Sequence, residues 1–271
     1  PTSYARPNTY SFEGSKITSE FSDFDKLLKL CKKLNTTPYM FLLCIYEILL
    51  YKYTNQTDII IGTPIVGRNI PEISNIIGMF VNTLVLRNEI NSEQSFSQLL
   101  LAVSTNCLNC FDHSSYPFDQ LVEKLNIPRD ASRNPIFDTM FVYQNEGNPN
   151  ISLDNIKTSY YVPDNKTSKF DFLIEITPLD SSLKFNLEYR TKLFSKKFME
   201  DFLAHYIHIL NVVISNIDIK IKDIFMLSDE ELSHILRAYD KRVLSYPSDL
   251  SIIEFFEEQL TKNPNSTAIV Y

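Results

Sequence analysis

The stretch Ile77-Gly78-Met79-Phe80-Val81-Asn82-Thr83-Leu84-Val85-Leu86-Arg87 sets Asn, Thr and Arg among Phe, Val and Leu. Residues 82–90 read as a strand, and polar side chains are costly to bury unless they find partners. A strand of this composition does more than fill a core. Two further stretches downstream mix polar and apolar residues in the same way. They are His113-Ser114-Ser115-Tyr116-Pro117-Phe118-Asp119 and Arg129-Asp130-Ala131-Ser132-Arg133-Asn134-Pro135-Ile136. Just upstream, Asp58-Ile59-Ile60-Ile61-Gly62-Thr63-Pro64-Ile65-Val66 is a nearly continuous apolar run closed by Gly67. It is predicted to be a strand buried on both faces, joined to residues 82–90 by a loop over 68–78.

Working outward, residues 1–16 are polar, interrupted by Pro1 and Pro7, and read as extended. A short strand begins near Ile17. Ser22 is predicted to cap a helix carrying Phe24, Leu27, Leu28, Cys31 and Leu34 at helical spacing, ended by Asn35. Thr37-Pro38 opens a second helix with a cap and a Pro at its first position. That helix runs to about Tyr53 and is apolar nearly all round, Glu47 excepted, so it belongs at the centre. Residues 92–111 carry a helix with Phe96, Leu99, Leu100, Val103, Leu108 and Phe111 inward. A short helix follows at 119–125, then a strand at 137–144 and a surface loop at 145–155. Segments 170–176 and 183–189 alternate as a hairpin around Asp180-Ser181. Ser195 caps a long helix to about Ile214. This succession predicts an α/β fold, a mixed sheet flanked by helices.

Beyond residue 227 the character changes. Ser228-Asp229-Glu230-Glu231 reads as a capping box before a short helix. Residues 238–248 are polar and unpatterned, and 228–250 is assigned as a linker. An amphipathic helix at 250–260 and the start of a strand at 267–271 form a last piece, 251–271, that cannot bury itself alone.

Composition narrows the function. With 44% hydrophobic and 22% charged residues the chain is ordinary and globular, and its formal net charge of −7 leaves no basic stripe for nucleic acid. Lys192, Lys196 and Lys197 read as a solvated helix start. The glycines at 14, 62, 67, 78 and 147 build neither a dinucleotide fingerprint nor a phosphate loop, and no Gly-x-Ser-x-Gly occurs. Cys107 and Cys110 form a lone Cys-x-x-Cys inside a helix, without the second pair a zinc site requires. With Cys31 and Cys44 they are read as reduced, mostly buried thiols of a cytoplasmic protein. No signal peptide opens the chain. The apolar run 39–51 contains Glu47 and is shorter than the roughly 20 residues of a membrane span. His205 and His208, three apart on a helix, are read as incidental surface with no carboxylate to complete a metal set.

The three quoted stretches resemble the later core motifs of condensation domains of non-ribosomal peptide synthetases. The first matches the pattern I-G-x-F-V-N-T-x-x-x-R at Ile77, Gly78, Phe80, Val81, Asn82, Thr83 and Arg87. The second matches H-x-x-Y-P-F-E/D at His113, Tyr116, Pro117, Phe118 and Asp119, with Ser115 where the family usually carries Asp. The third matches R-D-x-S-R-N-P at Arg129, Asp130, Ser132, Arg133, Asn134 and Pro135. From about Ile252 the chain resembles the opening of an adenylation domain. The family's catalytic His-His-x-x-x-Asp-Gly is missing: the four histidines, at 113, 205, 208 and 234, are unpaired and no Asp-Gly occurs.

The resemblance implies a CoA-dependent acyltransferase lobe, chloramphenicol acetyltransferase-like. It implies residues 1–227 as the C-terminal lobe of a condensation domain and 251–271 as the start of an adenylation domain. It further implies one wall of a tunnel where a carrier-bound donor acyl thioester meets a carrier-bound acceptor amine. No catalytic residue is expected in this chain and no cofactor bound directly; phosphopantetheine would arrive on carrier proteins. Asn82 and Thr83 are the expected tunnel residues. Gly78, Phe80, Arg87, His113, Pro117, Phe118, Arg129, Asp130, Arg133 and Asn134 are expected to be structural, with His113 ending a helix at its negative pole and Arg129, Asp130 and Arg133 pinning a loop by ion pairs. The expected partners are carrier proteins, the N-terminal lobe and the adjoining adenylation domain. The alternative is a non-catalytic module that docks a carrier protein or the adenylation domain. Epimerisation and heterocyclisation domains fit less well.

Overall fold

A computed structural model describes residues 1–68, 71–73, 75–128, 130–144, 156, 165–240 and 251–267. Two units separate, Pro1–Ser228 and Asp229–Tyr271. In chain order the first carries β1 (Gly14–Phe21), α1 (Phe24–Lys33), α2 (Pro38–Thr54), β2 (Asp58–Ile65), β3 (Asn82–Glu89), α3 (Phe96–Asp112), α4 (Phe118–Leu125), β4 (Thr139–Tyr143), β5 (Phe172–Pro178), β6 (Leu183–Arg190) and α5 (Lys196–Ser215).

The local chemistry explains the helix ends. The Thr37 hydroxyl accepts the Met40 N–H at 3.2 Å, Pro38 takes the first turn, and Asn55 closes α2 in the left-handed region at φ 56°. Ser95 and Gln98 form a reciprocal capping box at the start of α3. Asp23, not Ser22, precedes α1; its side chain makes no cap bond and instead pairs with Lys26 at 2.9 Å. In α3, Cys107 is buried and Leu108 is exposed, reversing the expected inward face at that turn.

The six strands form one mixed sheet in the order β1-β6-β5-β4-β2-β3. β2, β4 and β5 run parallel to one another; β1–β6, β5–β6 and β2–β3 are antiparallel. The β5–β6 hairpin turns where expected, with Pro178 opposite Leu183. β1 is longer than its composition indicated, because β6 pairs with it along all eight residues. β2 is an inner strand of the sheet but is not fully buried on both faces as expected: Ile60 and Pro64 stay half-buried.

Side chains alternate across a sheet. One set meets α1, α2, α3 and α5: Ile59 and Ile61, Leu86, Phe141, Ile174 and Ile176, then Leu183, Phe185 and Leu187. Residues 40–50 of α2 are buried without a break at the centre of this core. The opposite sheet face contributes nothing to it. That face is polar along β1, β6 and β5, with Lys16, Glu20, Lys184, Asn186 and Glu175. Along β4 and β2 it carries Met140, Val142, Ile60 and Pro64, and along β3 Val85 together with Thr83 and Arg87.

The second unit carries α6 (Asp229–Asp240) and α7 (Ile252–Lys262). α6 is the short helix expected after Ser228, at the start of the stretch 228–250; 241–250 lies outside the described residues, as do residues 268–271 of the expected strand. Ser251 and Glu254 form a capping box on α7, with Ser251 N–H donating to Glu254 at 2.7 Å. Ile252, Ile253, Phe256 and Leu260 of α7 are exposed.

Candidate functional site

The polar residues of the first motif find partners as soon as β3 begins. The Asn82 side-chain amide donates to the carbonyls of Ser114, at 2.9 Å, and Tyr116, at 2.8 Å. Its oxygen accepts the N–H of Phe118 at 3.2 Å and of Thr83 at 2.9 Å. Two donors and two acceptor positions are all the group has. Asn82 thus clamps the turn of the second motif and holds the N-terminus of α4. All four of these partners are backbone groups. Thr83, half-buried opposite Pro64, lies on the sheet face away from the helices.

The loop before β3 is shaped by Arg68. Its guanidinium donates to the carbonyls of Ile73 at 2.6 Å, Ile76 at 2.8 Å and Gly78 at 3.2 Å. It lies 4.4 Å from the Phe80 ring centroid. Gly67 sits at φ 68°, where a Cβ would fall 1.9 Å from the Phe80 carbonyl oxygen, so only glycine fits. Held in this way, the loop presents Ile77 and Met79 to solvent. Gly78 and Phe80 serve as props of Arg68, a residue the motif pattern does not include.

In the second motif, His113 follows α3 as its C-cap, exposed, with Nδ1 2.8 Å from the carbonyl of Asn109. Pro117 precedes α4, and Phe118 packs on Phe137 at 5.7 Å between ring centroids. In the first, Arg87 forms an exposed two-bond pair with Asp58, at 2.9 and 2.8 Å. These bonds raise the guanidinium's pKa and lower that of the carboxyl.

In the third motif, two of the three residues expected to form an ion-pair network are described. Arg129 lies outside the described residues. Asp130 accepts the Ser132 hydroxyl at 2.7 Å and N–H at 2.8 Å, making a local turn; those two bonds hold its carboxyl below the usual range. Arg133 pairs instead with Asp138, outside the motif. Asn134 donates to the Tyr10 hydroxyl and the Lys169 carbonyl, both at 3.0 Å. Next comes a strained turn: Ile136 has φ 69°, and Phe137 N–H donates to the Pro135 carbonyl at 2.8 Å. The turn lays the Phe137 ring on Gly62 of β2, where a Cβ would be 2.3 Å from the ring.

Sequence reasoning missed the group behind this motif. Arg190, wholly buried at the end of β6, donates to Asp171 Oδ1 at 2.8 Å, Ser132 O at 3.2 Å and Ser11 O at 3.0 Å. Tyr10 covers its guanidinium at 4.1 Å. Arg6 binds the same carboxylate and the same Ser132 carbonyl. The N-terminal segment, the third motif and the sheet are joined here. An Arg ending an alternating strand gives no sequence signal of such burial. His205, expected at the surface, is also buried, with Nδ1 2.7 Å from the Tyr53 hydroxyl.

A cavity of about 490 Å³ is lined by Phe172, Phe198 and Phe202 together with Arg6, Arg133 and Asp138. A groove of about 1310 Å³ runs between α4 and the third motif. Among the described residues no group of His, Cys, Asp and Glu could hold a metal ion, and no helix is long and apolar enough to cross a membrane. The four cysteines are free thiols.

Comparison with known proteins places this geometry. The profile of the condensation domain matches residues 1–236, running into α6 and past the boundary at 227 expected from sequence. Gramicidin S synthase 2 of Brevibacillus brevis is 41% identical over 99% of this chain, which spans 6% of that protein. A four-domain nonribosomal peptide synthetase, solved in its holo form with AMP and glycine, superposes with a TM-score of 0.78 at 22% identity, covering 97% of this chain and 24% of that one. The condensation domain from the monacolin K polyketide synthase superposes with a TM-score of 0.69 at 22% identity, covering 81% of this chain and 52% of that one. Sequence relatives, family profile and fold converge, and the chain belongs to the condensation-domain family of nonribosomal peptide synthetases.

Proposed function

We propose that this chain is the C-terminal lobe of a condensation domain, forming one wall of the tunnel in which a carrier-bound acceptor amine attacks a carrier-bound donor thioester. In that reaction the amine nitrogen bonds to the thioester carbonyl carbon, the carbon–sulfur bond breaks, and the donor carrier leaves as thiolate while the nitrogen loses a proton. The observation that carries the reading is one of size and chemistry together. Most of this chain aligns with only about half, 52%, of a solved condensation domain, and its 271 residues contain no His-His-x-x-x-Asp-Gly. A missing lobe would then supply the imidazole that positions or deprotonates the amine.

The sheet face outside the core is the proposed wall. Thr83, with a hydroxyl able to donate and accept, lies on this face opposite Pro64, with Val85 next along the same face of β3. Asn82 acts from behind, holding the turn that ends at Phe118. The pantetheine arms belong to the substrates, which the two lobes hold in proximity. Residues 251–271 are proposed to begin an adenylation domain, and the free thiols fit a cytoplasmic synthetase.

The test is reconstitution. The intact chain, mixed with donor- and acceptor-loaded carrier proteins, is expected to give no amide product above the uncatalysed background by mass spectrometry. Adding the separately expressed upstream lobe should restore product. Turnover by the chain alone would refute the reading, and an upstream lobe that binds without restoring turnover would favour a docking module.

A further inference from the structure

Glu47 is the one acidic residue in the apolar run 39–51, and it lies at the centre of the core, with no exposed surface. Asn88 of β3 donates to its Oε1 at 2.6 Å; Oε2 is buried with no partner. Asn106 of α3 in turn donates to Asn88 Oδ1 and to the Arg87 carbonyl, both at 3.0 Å. A single polar chain therefore ties α2, β3 and α3 through the apolar interior.

The surroundings offer nothing to balance a charge. On α2 the titratable neighbours are Tyr39 and Cys44, and on α3 Cys107, with Cys110 beyond it. The other helices packed on α2 bring Cys31 from α1 and, from α5, Tyr206 and His205, the last bonded to Tyr53 near the C-terminal end of α2. Burial keeps the thiols and phenols neutral, pushing Cys31 and Cys107 up to about 12. No Lys, Arg or His among the described residues contributes to the state of Glu47. A neutral carboxyl leaves one O–H unpartnered here. An ionised one leaves an anionic oxygen unpartnered, which is far more costly.

We propose that Glu47, Asn88 and Asn106 form a proton-operated latch: with the carboxyl neutral, α2, β3 and α3 close on one another, and ionisation loosens them. β3 also carries Asn82, so the latch and the clamp on the turn at 113–118 share one strand. This inference does not rest on the proposed reaction. Burial pushes the Glu47 carboxyl up to about 8, against an ordinary value near 4.5. The folded state therefore holds a proton that the unfolded state releases, and stability falls as pH rises from the ordinary value through about 8.

The experiment follows thermal unfolding of the intact chain between pH 5.5 and 8, with the Glu47 side-chain carboxyl carbon followed by NMR in the wild type. The wild-type midpoint is expected to fall by about 3 °C per pH unit, and Glu47→Gln to remove most of that slope and melt above wild type at pH 8. The carboxyl carbon should report a proton retained beyond pH 7. A Glu47→Gln chain with the wild-type slope would overturn the proposal. So would a Glu47 carbon already titrated below pH 6, a result that stands even if the variant does not fold.

Discussion

Arg87 and Arg190 lie on strands of the same sheet, and each meets an aspartate, yet they do opposite work. Arg87 and Asp58 lie in solvent, with side chains 69% and 49% exposed, while Arg190 and Asp171 are 0% and 5% exposed. In water two long side chains gain little by holding still, and salt screens what they gain. In the interior neither member of a pair can lose the other, because the survivor is left charged without solvent. The same two residue types therefore decorate one end of the molecule and hold together the other.

Replacing Asp171 by Asn is the most severe way to break this contrast. It leaves Arg6 and Arg190 facing a neutral amide, and the expected loss is about 3–5 kcal/mol in urea unfolding. A loss under about 1 kcal/mol would show that the buried group contributes no more than a surface pair. Asn82→Ala should come next, at about 2 kcal/mol, because it strips partners from two carbonyls and two N–H groups of a part-buried turn. Hydrogen exchange should quicken at Phe118 in this variant; unchanged exchange would mean that the turn holds itself. Arg87→Gln should leave the unfolding midpoint unmoved, at low salt and in 1 M NaCl alike. A salt-dependent drop would show the exposed pair to be structural after all.

The contrast also shows which parts of the molecule could be read in advance. Arg87 was conspicuous because it closes a motif of eleven residues, and it is the less important of the two. Arg190 sits at the end of an ordinary alternating strand, and its partners Ser11, Ser132 and Asp171 come from three separate segments. Asn82 was recognised as unusual, but its partners lie over thirty residues downstream, so its amide was expected to face substrate. His205 is read wrongly as surface, although the helical spacing that places it on one face with Phe202, Tyr206 and Ile209, all buried, is written in the sequence. Glu47 was visible as a charge inside an apolar run, but Asn88 and Asn106, which receive it, were not.

By itself the sequence determined the helix starts at Thr37 and Ser195, the β5–β6 turn, the central place of α2 and the mixed α/β class. Capping, periodicity and turn chemistry act between residues a few positions apart, so they are written locally. Only the tertiary structure decided which polar side chains are exhausted by backbone, which ion pair is buried and which carboxyl is buried with no charged partner. Those outcomes depend on how much water remains around a group once distant segments have closed on it, and no short stretch of sequence carries that information.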